Sequence, residues 1–289
     1  MKHLLVIFSL ILFLSSIAVK AQYQETIASD RPGQTYSATT VGKGVFQFQH
    51  GLSLSGYGFK TNAPSTLNEQ KVRYLQYGAS TDIRYGILER WEVGANLIYP
   101  FHQSTFVDGD KADNYFESDL NIILNTRLNV TQQLGDKGFN FSVLVAAQVH
   151  PLFESGISTI NILGLLSKQF GKHGLSGNIG LASSTVVSDR IPYTLNYTYG
   201  ITDRVGVFIE NYGFYALSQQ GNSGFFSLGN VDLGFMYLIN QDIQLDFAIG
   251  YEEPSVFPHI SNDGMGNPTF IRNFNSALFY SGLGLSWRI

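Results

Sequence analysis

The chain has 289 residues, a formal net charge of -4 and no cysteine; charged side chains make up only 14 % of it, as do aromatic ones, with 16 Tyr and 22 Phe. Soluble domains carry about 25 % charged residues, so much of this surface is not built to meet water. Without cysteine there is no disulfide framework, no thiolate metal site and no lipid-modified N-terminal Cys. A mild negative charge offers no basic field for nucleic acid.

Residues 1–21 combine a positive start at Lys2, an apolar run from Leu4 to Ile17, and the small residues Val19 and Ala21. This pattern predicts a signal peptide cut near Ala21, because the run is shorter than the roughly 18 residues that span a bilayer. Residues 22–43 are polar and lack period two, which predicts an irregular N-terminal segment. From residue 44 to 289 the chain alternates. Phe46, Phe48, Leu52 and Leu54 share a face against Gln47, Gln49, Gly51 and Ser53, with His50 out of place on the apolar side, as suits an interface. Leu75, Tyr77, Ala79, Ile83 and Tyr85 oppose Gln76, Ser80, Asp82 and Arg84; Trp91, Val93, Ala95, Leu97 and Tyr99 oppose Glu92, Gly94 and Asn96; Leu120, Ile122, Leu124, Leu128 and Val130 oppose Asn121, Asn125, Arg127 and Asn129.

Further strands are predicted over Phe139 to Val149, up to Gln169, around Leu175 to Leu181 and Tyr193 to Tyr199, and over Val205 to Tyr215, where alternation lapses after Ile209 and suggests a bulge. The clearest unit is the hairpin Phe225 to Tyr251: Val231, Leu233, Phe235, Tyr237 and Ile239, then Asn240-Gln241-Asp242, then Ile243, Leu245, Phe247, Ile249 and Tyr251. Ala277 to Ile289 closes the series. Short connections near Leu88, Asp136, Gly171, Asp203 and Gln241 are set against longer polar ones, chiefly Gly56 to Glu69, Phe101 to Glu117, Ser218 to Gly224 and Glu252 to Asn273. An exported, aromatic-rich, charge-poor chain without an apolar spanning helix, and with about 12 strands, predicts an all-β fold. The expected form is a transmembrane antiparallel up-and-down β-barrel in the outer membrane of a Gram-negative-type bacterium, apolar outward and polar inward. Trp91 and Tyr99, eight residues apart on the outward face, fall about 20 Å apart along the membrane normal, close to the height of an apolar band. Tyr85, Tyr199, Tyr237 and Trp287 at one end, and Tyr193 and Tyr251 at the other, predict interface girdles.

The head Ser29 to Gly51, with Asp30, Arg31, Pro32, Thr35, Lys43 and Gly44 in an Asp-Arg-Pro, Thr, Lys-Gly order before a first strand, resembles the outer-membrane proteins associated with the meta-cleavage pathway of phenol degradation. The resemblance extends weakly to Ile201 to Tyr215 and the closing GLGLSWRI; the chain departs from it by ending on Ile289 rather than an aromatic residue. It implies an outer-membrane barrel and uptake of small solutes, without fixing a substrate.

In such a barrel the inward charges are informative, because the lipid face cannot hold them cheaply. The expected pore lining comprises Gln47, Gln49, Asp82, Arg84, Glu92, Asn96, Asn125, Arg127, Glu210, Asp232 and Asp246, together with Asp119. It sets selectivity or, equally, fills a narrow barrel with salt bridges. Asp30, Arg31 and Pro32 are expected to dock the N-terminal segment at or inside the periplasmic mouth as a plug, Arg31 on an inward carboxylate and Asp30 on Arg84 or Arg127. The favoured function is a channel for passive uptake or efflux of small solutes, aromatic or other hydrophobic compounds among them; a closed structural or adhesive barrel and a lipid-acting enzyme are the alternatives. The enzyme reading rests on His259-Ile260-Ser261-Asn262 alone, in a loop-like context and without GxSxG or HExxH, so no catalytic residue, cofactor or metal site is expected. Asp108, Asp110 and Asp113 lack the calcium-loop pattern. The expected partners are outer-membrane lipids, the barrel-assembly machinery and an unspecified small solute.

Overall fold

The computed structural model describes residues 27, 29–30, 33–62, 69–108, 111–118, 120–133, 137–149, 157–185, 189–217, 225–252, 261–262, 268–269 and 278–289. The strands are β1 (Phe46–Asn62), β2 (Glu69–Leu88), β3 (Trp91–Asp108), β4 (Lys111–Ser118), β5 (Asn121–Thr131), β6 (Asn140–Val149), β7 (Ile157–Phe170), β8 (His173–Ser184), β9 (Arg190–Gly200), β10 (Val205–Ala216), β11 (Phe225–Asn240), β12 (Ile243–Glu252), the two-residue β13 (Ser261–Asn262) and β14 (Pro268–Thr269), and β15 (Leu278–Arg288). Sequence neighbours pair antiparallel along the wall, except that β5 pairs with β3 and β15 with β12, while β13 and β14 form a separate two-stranded ribbon; β1 closes on β15 from Gln47 opposite Arg288 to Gly56 opposite Phe279. Because β4 and β5 pair with successive stretches of β3, they form one interrupted stave. The result is the expected closed 12-stranded antiparallel barrel, and closure removes the edges that an open sheet would expose.

Outward positions are large and apolar all round, including Leu52, Leu124, Ile162, Ile179, Leu195, Leu233, Phe235, Ile249 and Leu283, each well exposed. In water such a continuous belt would be a liability; in a bilayer it is the surface that the solvent requires. Aromatic rings gather at both rims. At the end with the short turns, Phe46 lies 4.4 Å from Tyr85 and Phe48 stacks on Trp287 at 5.2 Å between ring centres. Toward the other end Phe101 stacks with Tyr77 and Tyr99. His50, on the outward face, bonds Thr81 Oγ1 at 2.9 Å.

Three features differ from the alternation pattern. The register shift near Tyr212 lies in the pairing of β10 with β11, where Tyr212 faces Asn230 and Phe214 faces Ser227, so the extra residue belongs to β11; β10 runs against β9 without a break. The lapse after Ile209 arises because the inward positions Tyr212 and Phe214 are themselves aromatic, Phe214 carrying the Arg190 guanidinium over its ring. Much of the connection expected over Phe101 to Glu117 is strand, with Phe101 opposite Ser118 through to Asp108 opposite Lys111, and β1 and β2 likewise continue to Asn62 and from Glu69. Polar residues pair as readily there because backbone hydrogen bonds, not side-chain pattern, hold a ribbon beyond the apolar belt. Lastly, β6 and β7 are apolar on both faces: Ile160, Ile162 and Leu166 point outward, while Leu144, Leu163 and Leu165 are buried inside with Ala38 and Ala146.

Candidate functional site

The N-terminal segment lies inside the barrel. It enters where the Ile27 amide donates to the Gln241 carbonyl in the β11–β12 turn, at 2.8 Å. Ser29 then bonds Gln49 of β1 and Ser286 of β15, and the Asp30 amide donates to Gln49 Oε1 at 2.9 Å. Crossing the lumen, the Gln34 amide and Thr35 hydroxyl donate to the Glu210 carboxylate on β10, and Thr35 also meets Thr194 on β9. The Tyr36 backbone exchanges both its hydrogen bonds with the Asn178 side chain of β8, and the Ala38 carbonyl accepts from Asn129 and Ser142. The Val41 amide reaches Glu92. An irregular backbone can be buried only if its N–H and C=O groups find partners, and the inward side chains of the staves supply them. Two glycines make room: a side chain on Gly33 would overlap the Glu210 carboxylate, and one on Gly86 the Gly42 carbonyl, where the segment turns into β1.

The strongest anchor is ionic. Arg84 on β2 grips Glu92 on β3 with Nε to Oε1 at 2.9 Å and Nη2 to Oε2 at 3.0 Å, while Arg127 on β5 places Nη2 2.6 Å from Asp30 Oδ2 and Nε 3.4 Å from Glu92. Arg84 Nη1 is 3.5 Å from the same Asp30 oxygen, and both arginines donate to the Thr39 carbonyl. All four charged side chains are almost fully buried. Burial pulls the Asp30 carboxyl upward, but the Arg127 and Arg84 guanidiniums and the Ser37 amide outweigh it and hold the group below its ordinary value. Burial, then the nearby Asp82 and Asp30 charges, push the Tyr36 hydroxyl up to about 12, so it stays protonated.

The other inward positions are distributed around this anchor. Gln47 faces Arg84, and Asp82 faces Gln49 on one side and Asn96 on the other. Asn125 lies opposite Gly94. Glu210, Asp232 and Asp246 are buried on the β10 to β12 wall, Glu210 directly opposite Asp232 and Tyr212 reaching Asp232 at 3.4 Å. The charges therefore fall into a β2, β3 and β5 group that holds Asp30 and a separate acidic wall. Arg31, Pro32 and Asp119 lie outside the described residues, as do Asp110 and His259. Ser261 and Asn262 form β13, and Asp108 and Asp113 sit in the β3–β4 ribbon.

Between the segment and the short turns is a cavity of about 740 Å³, roofed by Ser29, Gly33, Thr35 and Thr39 and walled by the turn ends of β5 to β12. Its residues Asn196, Thr198, Phe208 and Met236, and the apolar seat of Tyr36 and Ala38 on Leu144, Leu163 and Leu165, were not singled out by alternation. The double-sided apolar run in β7 was the available signal: an inward leucine pair in a polar lumen calls for something apolar to cover it.

No protein-family model matches the chain, and no curated protein matches it. Among solved structures it is similar to an outer membrane channel from Pseudomonas putida F1, at 12 % identity over 90 % of this chain and 100 % of that one, with a TM-score of 0.56. It is also similar to the translocator domain of the autotransporter NalP from Neisseria meningitidis, at 11 % identity over 86 % and 89 % of the two chains with a TM-score of 0.48. The NanC porin matches at 9 % identity over 82 % and 98 %, with a TM-score of 0.47. At these identities the likeness establishes the fold alone: the chain has the barrel architecture of outer-membrane proteins.

Proposed function

We propose that this protein is a passive channel for small solutes in the outer membrane of a Gram-negative-type bacterium, with the short turns facing the periplasm and the N-terminal segment serving as a plug. The observation that carries this is the placement of a polar, hydrogen-bonded segment within a polar lumen, surrounded by a continuous apolar belt. The filling is held by side chains reaching in from the wall, an ion cluster and Glu210 foremost with amides and hydroxyls beside them, and not by strand pairing, which supports a segment that can leave its seat without opening the barrel. The polar lining supports a transport path rather than catalysis, and the reading invokes no cofactor or metal. Membrane lipids at the belt and the barrel-assembly machinery are the partners it requires. The resemblance of the Ser29 to Gly51 head to proteins linked with phenol degradation supports small-solute passage and leaves the solute open, aromatic compounds included.

Conductance in planar bilayers tests this. The mature protein should give small or flickering openings, and deletion of Gln22 to Ala38 should give larger, steadier ones without loss of assembly. A correctly assembled deletion that conducts no better would remove the plug. If neither form conducts, the closed structural barrel is the better reading, and the buried leucine cluster on β6 and β7 is the feature that would favour it.

A further inference from the structure

We infer that the cavity beneath the plug is a binding site for an uncharged, hydroxyl-rich solute of about the size of a disaccharide, entered from the end of the barrel with the short turns. For the solute's part in transport this rests on the channel reading; the binding does not.

The inference starts from which groups remain available. Near the cavity, the ionic groups are already committed to the segment: Asp30 to Arg84 and Arg127, and Glu210 to Gln34 and Thr35. The remaining lining is chiefly amide and hydroxyl, with Lys168, Asp203 and Arg204 confined to the rim. Three of those amides have an atom that is buried and without a hydrogen-bond partner among the described residues: Asn196 Oδ1, Gln244 Nε2 and Gln132 Oε1. Asn196 and Gln244 are themselves only 8 % and 5 % exposed. Buried polar groups are normally satisfied, and these three side chains all belong to the lining of one cavity.

Two acceptors and one donor suit a hydroxyl, which both donates and accepts. A carboxylate would satisfy only the donor, and an aromatic hydrocarbon none. Phe208, Met236 and Leu238 add apolar surface on the same lining, which suits a saccharide ring with its alternating C–H and O–H character. A volume of about 740 Å³ accommodates two such rings and their water.

Maltose is the probe, with lactobionate as a charged comparator of similar size and phenol as the aromatic one, each titrated calorimetrically into the full mature protein in detergent. Maltose should bind at least tenfold more tightly than either comparator. Asn196→Ala combined with Gln244→Ala should weaken it at least tenfold, while Gln148→Ala, which removes a lumen side chain bonded to Asn121 away from the cavity, should not. If the double variant loses the heat-resistant gel form of the folded barrel, Thr198→Val tests the same wall. In bilayers, maltose should reduce current only from the side of the short turns. No maltose binding by folded protein, equal binding by the cavity variants, or preference for phenol or lactobionate would each overturn the site. Maltose binding by a protein that never conducts would refute the channel and leave the site standing; conduction without maltose binding would do the reverse.

Discussion

At the residue scale the arginine pair is, among the described residues, the ionic contact between the N-terminal segment and the wall. Arg127 is planar and forked, so it can hold Asp30 and the Thr39 carbonyl at once while lying beside Glu92. Removing one partner from a buried ion pair costs about 3 to 5 kcal/mol, because the other charge is stranded. Arg127→Ala should therefore free the segment to protease in the folded barrel, and Arg127→Lys should do so partly, since an ammonium keeps the charge but not the fork. Unchanged protection in both would mean that the segment is held elsewhere. Acid should act on the same anchor. The Asp30 carboxyl is held below its ordinary value, so its contribution is present in full above the unfolded value near pH 4, and is lost as pH falls below that toward the folded one. Protection of the segment should be flat from pH 7 to about pH 5 and decline only in stronger acid; a midpoint near neutrality would exclude Asp30 as the responsible group.

At the scale of elements, the two faces of each stave should answer differently to the same charge. Phe235 on β11 points outward and is 45 % exposed, about a third of the way along its strand from the short-turn end. Arg on the lipid face near the midplane costs about 2 to 4 kcal/mol, so Phe235→Arg should lower folding yield in vesicles, whereas inward Gln148→Arg should fold close to normally. Equal loss from both would contradict the register. These faces were legible in the sequence wherever one side of the strand was polar, as with Asp82 and Arg84 on β2 or Asp232 on β11. They were illegible in β7, where Leu163 and Leu165 repeat inside what Ile160 and Ile162 present outside, since period two vanishes when both environments are apolar. The composition of the ion cluster was beyond alternation for another reason. Arg84, Glu92 and Arg127 come from three staves, and only the pairing of β3 with β2 and β5 brings them together around Asp30.

For the whole molecule, closure is the governing property. The β1–β15 seam runs from Phe46, whose backbone exchanges hydrogen bonds with Ile289 at 2.9 Å both ways, up to Gly56 opposite Phe279. Without free edges the barrel should stay folded in cold detergent and migrate differently on gels before and after boiling; identical migration and a soluble product would reject membrane insertion. The segment bears on how that closed state is reached. It bonds side chains of β1 and β15 at Gln49 and Ser286, and also of β5, β8 and β10. Its full set of contacts exists only once the last strand has met the first. Because the Ser29 to Ser286 bond needs the last strand, a chain that carries its own filling completes the seating of that filling only with the final closure of the wall, whatever contacts with β1 to β10 have formed before.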